Sequence, residues 1–301
     1  MGQLLRAISK NGGVACYVAQ TTDVVARAEQ IHTTSAVVTA ALGRLLTAAS
    51  IMGSALKSEE ASVTLRMMGD GPVGALIAVS DWKGNVRGYA ANPVVELPLN
   101  SFGKLDVGGA VGHTGTLSVV KDLGMGDPYV GQVPIVSGEI AEDITSYFAV
   151  SEQIPTVCAL GVLVNPDLTV AAAGGYVAQL LPGAAEEDIA RLEANIQKIP
   201  AISSLFAKGE TPVQVMERVM EGLEPNILEE YHPEYCCNCS RERTEAVLRS
   251  LGRKELDAMI AEDHGAEVCC HFCNKTYAFT EAELAALRDS IPENGEDGGE
   301  A

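Results

Sequence analysis

Six of the chain's eight cysteines fall in two triplets: Cys236, Cys237 and Cys239 in "YCCNCS", and Cys269, Cys270 and Cys273 in "VCCHFC". Two close cysteine pairs separated by a loop can converge on one tetrahedral metal ion, because each tight turn supplies two thiolates. Four thiolates complete such a shell, so two of the six are surplus. On spacing, Cys236 and Cys239 form a C-x-x-C pair that matches Cys270 and Cys273. Cys237 and Cys239 form a tighter C-x-C pair; spacing favours the first arrangement but leaves both open. His232, His264 and His271 lie in the same segment as further ligand types, which four thiolates leave unneeded.

Such a centre supports two kinds of chemistry. One is a permanent zinc staple. The other is a switch, since a zinc-bound sulfur is a thiolate and the thiolate is the form that oxidants attack. Oxidation of a pair to a disulfide withdraws two ligands at once. A segment of some 55 residues buries little apolar surface, so metal binding would supply much of its folding free energy. Loss of the ligands should therefore unfold it.

The elements around the cysteines divide the chain. From about residue 60 to 181 it reads mostly as strands and turns: "VTLRMMGDGPVGALIAVSD", "VRGYA", "GTLSVVKD", "TVCALGVLV" and "LTVAAAGGYVAQLL". Two helices interrupt them, Ser35 to Leu56 and "GEIAEDITSYFAVSEQ", in which Ile140, Ile144, Tyr147 and Phe148 share a face. Residues 1–181 are expected to form an α+β core domain, mainly antiparallel sheet with packed helices. Residues 182–231 carry two amphipathic patterns, with Ile189, Leu192 and Ile196 and then Val213, Val215, Met216, Val219 and Met220, and are expected to be a helical linker. Short helices of this kind depend on what they pack against. Residues 232–287 are expected to form a small C-terminal four-cysteine zinc domain, and the acidic, Gly-rich stretch 288–301 a disordered tail.

Composition excludes several functions. The net charge of −19 over 301 residues argues against nucleic acid and anionic membranes as partners. Within 232–287, 6 Lys and Arg stand against 10 Asp and Glu, a net of −4, which also argues against a nucleic-acid-binding zinc ribbon. Arg44, Asn165 and Asp167 interrupt the most apolar regions, so no membrane span is expected, and the N-terminus has no signal-peptide run. A cytoplasmic location follows as the expectation, where clustered cysteines bind metal or sense oxidants. Cys16 and Cys158 sit in apolar strand-like contexts and read as inert core thiols. "GGAVGHTGT", which holds His113, and "GMGDPYVG" read as turns, since neither has P-loop or dinucleotide-fold spacing. No nucleophile elbow or H-E-x-x-H motif is present, so there is no positive case for an enzyme. The alternative function is a cytoplasmic enzyme of unknown chemistry with a purely structural zinc staple.

The segment from "CNCSRERTEAVLRSLGRKELDAMI" through "EVCCHFCNKTYAF" resembles the zinc domain of the redox-regulated 33 kDa heat-shock chaperonin family, zinc-binding holdases of the bacterial cytoplasm. "GPVGALIAVSDWKGNVRGY", "VGGAVGHTGTLSVVKDLG", "SYFAVSEQIPT" and "AAGGYVAQLLPGA" are similar to that family's core-domain motifs, so the resemblance spans nearly the whole chain. It implies one zinc per chain in the reduced form, held by Cys237, Cys239, Cys270 and Cys273, which overrules the spacing preference for Cys236. It implies disulfides Cys237–Cys239 and Cys270–Cys273 on oxidation, activation by oxidant with heat, and unfolding of the zinc domain and linker. A C-x-C disulfide closes a very small ring and should be readily reduced again. The implied partners are unfolding client proteins, held without ATP, with a homodimer as the oxidised form. Cys236 and Cys269 are extra thiols on this reading, bystanders beside the site, with substitute ligation or a resolving role as the alternative.

Overall fold

The computed structural model describes residues 2–292, and the chain falls into two compact units that meet between Cys236 and Cys237. Of the stretch 288–301 expected to be a disordered tail, Arg288 and Asp289 close the last helix, and residues 293 on lie outside the described residues.

The first unit is built on two five-stranded antiparallel sheets. One contains β1 (Gln3–Ile8), β2 (Val14–Gln20), β8 (Thr156–Val164), β9 (Val170–Leu180) and β10 (Asn226–Tyr231), in the order β10-β1-β2-β9-β8. The other contains β3 (Ser62–Gly69), β4 (Ala75–Asp81), β5 (Val86–Ala90), β6 (Gly115–Asp122) and β7 (Tyr129–Pro134), in the order β5-β4-β3-β6-β7. The strand runs read from the sequence are β3 to β6, β8 and β9. β1, β7 and β10 are not among them, and β7 begins inside "GMGDPYVG", a stretch expected to be a turn. Helix α1 (Thr22–His32) precedes α2 (Ala36–Ser54), which packs against strands of both sheets and buries 17 of its residues. Small side chains permit this: a Cβ on Gly43 would stand 2.6 Å from a Val25 methyl carbon. Arg44, the one charge in α2, pairs with Glu139 at 2.5 Å. Among the described residues α2 is the helix long and apolar enough to span a bilayer, but 89% of its apolar window is buried within the protein, as in a core helix.

Short α3 (Val107–Val111) leads into β6, and α4 (Ala141–Tyr147) runs into one π-helical turn, Phe148–Glu152. Ile140, Ile144, Tyr147 and Phe148 are all buried, as their spacing predicts. In this turn Glu152 accepts hydrogen bonds from Lys121 Nζ and the Tyr147 hydroxyl, both at 2.5 Å.

The sheet containing β1 is buried on both faces, which is why "VACYVA" in β2 is continuously apolar rather than alternating. Leu4, Tyr17 and Ala19 face one way, towards Ile51 of α2. Leu5, Val14, Cys16, Val18 and Tyr176 face the other way, where α5 (Glu186–Ile196), α6 (Ile202–Ala207) and α7 (Pro212–Val219) cover them with Leu192, Leu205, Phe206, Val215, Met216 and Val219. The stretch expected to be a helical linker thus packs within the first unit, and it ends in a strand. β10 pairs antiparallel with β1, fastened by Arg6–Glu229 at 3.0 Å and Gln3–Glu230 at 2.7 Å. Beyond β10 the chain crosses to the other sheet. The Cys236 N–H donates to Val86 O at 2.8 Å, and the Tyr235 hydroxyl donates to Gly88 O at 2.8 Å and lies 3.1 Å from His32 Nε2.

The second unit contains α8 (Arg241–Ser250), α9 (Arg253–Ala258) with a π-helical turn after it, the hairpin β11 (Gly265–Cys269) and β12 (Thr276–Thr280), and α10 (Glu281–Asp289). Ser240 and Thr280 cap α8 and α10 through their side-chain oxygens. Its buried core is small: Leu248, Leu256, Tyr277, Phe279, Leu284 and Leu287.

Candidate metal centre

Two short segments bring thiols together at one end of the β11–β12 hairpin. In the second, Cys270 N–H donates to Lys275 O at 2.9 Å, and the Cys273 and Asn274 N–H groups donate back to Cys270 O at 3.2 and 2.8 Å. This tight turn, with Asn274 at φ 57°, sets Cys270 and Cys273 on one side. In the first segment, half-buried and exposed positions alternate from Tyr235 to Cys239, so Cys237 and Cys239 share a side and Cys236 does not.

The Sγ atoms of Cys237, Cys239, Cys270 and Cys273 all lie within 4.8 Å of one another. Cys237 and Cys270 sulfurs are 3.7 Å apart, and those of Cys239 and Cys273 are 3.4 Å apart. Ligands about 2.3 Å from a tetrahedral zinc stand roughly 3.8 Å from each other, so this donor set fits zinc in both chemistry and size. Cys236 and Cys269 are exposed and lie outside the group, as do the histidines. His232 Nδ1 is 3.2 Å from Gly2 O, and His264 Nδ1 pairs with Glu281 at 2.7 Å.

The four thiols are not equivalent. The Tyr277 hydroxyl donates to Cys239 Sγ at 3.2 Å, and this bond leads the causes that lower the Cys239 thiol to about 7. Burial, foremost, pushes Cys237 and Cys273 upward, against hydrogen bonds from the N–H groups of Cys239 and Lys275 respectively. A bound cation would favour the thiolate at every position. Burial also raises Cys16 strongly and lifts Cys158 to about 12, which keeps these two core thiols protonated and unreactive.

Tyr277 is a site residue that the cysteine pattern does not reveal. Its sequence signal is the alternation in "TYAFT", which places Tyr277 and Phe279 on the inner face of β12. A buried tyrosine hydroxyl needs a partner, and in a small cysteine-rich unit the sulfurs are at hand.

A family model described as Hsp33 protein matches residues 2–280. The chain is 50% identical over 291 residues to the 33 kDa chaperonin of Bacillus licheniformis, covering 97% of this chain and 100% of that protein. It is 49% identical over 284 residues to the 33 kDa chaperonin of Acetivibrio thermocellus, covering 94% and 96%. The crystal structure of the 33 kDa chaperonin from Thermotoga maritima superposes with a TM-score of 0.87 at 40% identity, covering 95% of this chain and 97% of that one.

Proposed function

The chain belongs to the Hsp33 family, whose members are redox-regulated chaperones rather than enzymes, and from that premise we propose how its own cysteines run the switch. In the reduced state Cys237, Cys239, Cys270 and Cys273 hold one zinc ion. Bound zinc supplies a positive centre that keeps all four sulfurs as thiolates and cross-links the two cysteine segments. The observation that carries this is the convergence of four sulfurs within 4.8 Å in a unit with so few buried side chains.

Under peroxide, one thiolate attacks a peroxide oxygen, the O–O bond breaks, and a sulfenic acid forms with release of hydroxide. The neighbouring thiolate then displaces hydroxide from that sulfur. Two thiolates, one hydrogen peroxide and two protons become one disulfide and two waters, the sulfurs giving up two electrons. The pairs are Cys237 with Cys239 and Cys270 with Cys273. Each disulfide removes two ligands, so the unit loses its cross-link and unfolds. The segment 182–231 then loosens, and the apolar side chains of α5 to α7 and of the sheet beneath them become available to unfolding client proteins. Binding needs no ATP, the oxidised form is a homodimer, and the protein works in the cytoplasm.

The test is to incubate the zinc-loaded protein with peroxide at elevated temperature while following zinc release and, by light scattering, the aggregation of a client. Aggregation should be suppressed only after zinc is released. Equal protection before and after release would defeat this reading.

A further inference from the structure

The Tyr277 ring belongs to the buried core of the second unit, packed with Leu248, Leu256, Phe279, Leu284 and Leu287. It is 6% exposed. On the solvent side Lys275 Nζ stands 4.9 Å from the ring centroid. The ring is thus fixed by packing, and its hydroxyl is held 3.2 Å from Cys239 Sγ. One side chain therefore joins the apolar core to a metal-site sulfur. Outer groups that hydrogen-bond to ligands commonly fix their orientation and tune the centre.

From this geometry we infer that Tyr277 is a positioning residue of the switch, whose hydroxyl holds the Cys239 sulfur in place and slows the oxidant-driven opening of the centre. The inference deepens the redox reading above and rests on it. A hydrogen bond to a thiolate draws electron density from the sulfur lone pairs, and a less basic sulfur is a weaker nucleophile towards peroxide. The bond also offsets part of the negative charge that four thiolates leave around one divalent cation. The donor to Cys239 is a side chain, so the oxidant sensitivity of the centre can be set separately from its fold. Tyr277 takes no part in the redox step and exchanges no electrons; it acts through Cys239.

The experiment compares the full-length protein with Tyr277→Phe, which keeps the ring and removes the hydroxyl, and with Tyr277→Leu, which also weakens the packing. Each is loaded with zinc and challenged with excess peroxide in the presence of a chromogenic chelator. A cobalt(II)-loaded sample of each is read by absorption. Tyr277→Phe is expected to bind one metal per chain with an unchanged far-UV spectrum and to retain zinc on the order of 10-fold less tightly against the chelator. It should release zinc several-fold faster in peroxide, and its thiolate-to-cobalt charge-transfer band should move to lower energy. Release and band position equal to the parent in Tyr277→Phe, with a change only in Tyr277→Leu, would assign the residue to packing and overturn the inference. A parent protein that keeps its zinc in peroxide would instead sink the redox reading, and the cobalt spectrum, which needs no oxidant, would still report whether the hydroxyl acts on the sulfur.

Discussion

Neighbouring residues of an extended chain point to opposite sides, so of two adjacent cysteines only one can face a given centre. That separates Cys237 from Cys236 and Cys270 from Cys269, whose side chains are exposed. Replacing both Cys236 and Cys269 by serine should leave one zinc per chain by native mass spectrometry. Replacing Cys237 or Cys239 alone should abolish tight binding, because three thiolates leave an open position. Zinc loss in the double variant would overturn the ligand assignment. Cysteine spacing announced a metal centre but favoured Cys236 as the partner of Cys239. Counting residues ignores which side each faces, and alternation was the missing criterion. Tyr277 is missed for a different reason: alternation places it on the inner face of β12, but a tyrosine there looks like any core aromatic until the sulfur beside it is known.

The helices α5 to α7 draw their stability from the sheet they cover. Phe206 in α6 is 5% exposed and lies in that interface. Phe206→Ala should cost about 3–5 kcal/mol and lower the temperature at which an apolar dye binds the protein, the chaperone form being reached with less heat. An unchanged dye-binding midpoint would mean that this packing does not restrain the segment. The 3.6-residue periods of α5 and α7 could be read from the sequence because their apolar faces are strict. β10 could not. "NILEEY" has no clear alternation and follows two helical patterns, and the strand exists because β1, more than 200 residues earlier, offers an edge. A different sensitivity belongs to the π-helical turn after α4. Burial acts to raise the Glu152 carboxyl, but hydrogen bonds from Lys121 and Tyr147 outweigh it and hold the group below its ordinary 4.5. A depressed carboxyl contributes stability that is present above 4.5 and is lost as pH falls through the lower folded value. Acid unfolding followed by circular dichroism should show that loss in the parent protein. In Glu152→Gln it should be absent, with lower stability at neutral pH.

For the molecule as a whole, the two units hold together by different means. The first has extensive apolar clusters around α2 and on both faces of the β1 sheet. Among the described residues the second has six buried apolar side chains and the cysteine centre. Chelation of zinc under reducing conditions should therefore unfold residues 237–292 while the first unit keeps its secondary structure, as hydrogen exchange would resolve segment by segment. Uniform loss of protection along the chain would contradict this division. The pairing of β1 with β10 has a consequence for synthesis. Leu4 meets Tyr231, so the outer edge of β1 has no native partner until more than 200 further residues have been made. Bringing such distant segments together is entropically costly and tends to be slow. On the ribosome, the sheet is expected to wait with β1 open-edged, and the nascent chain itself carries an exposed strand of the kind that other proteins use to aggregate.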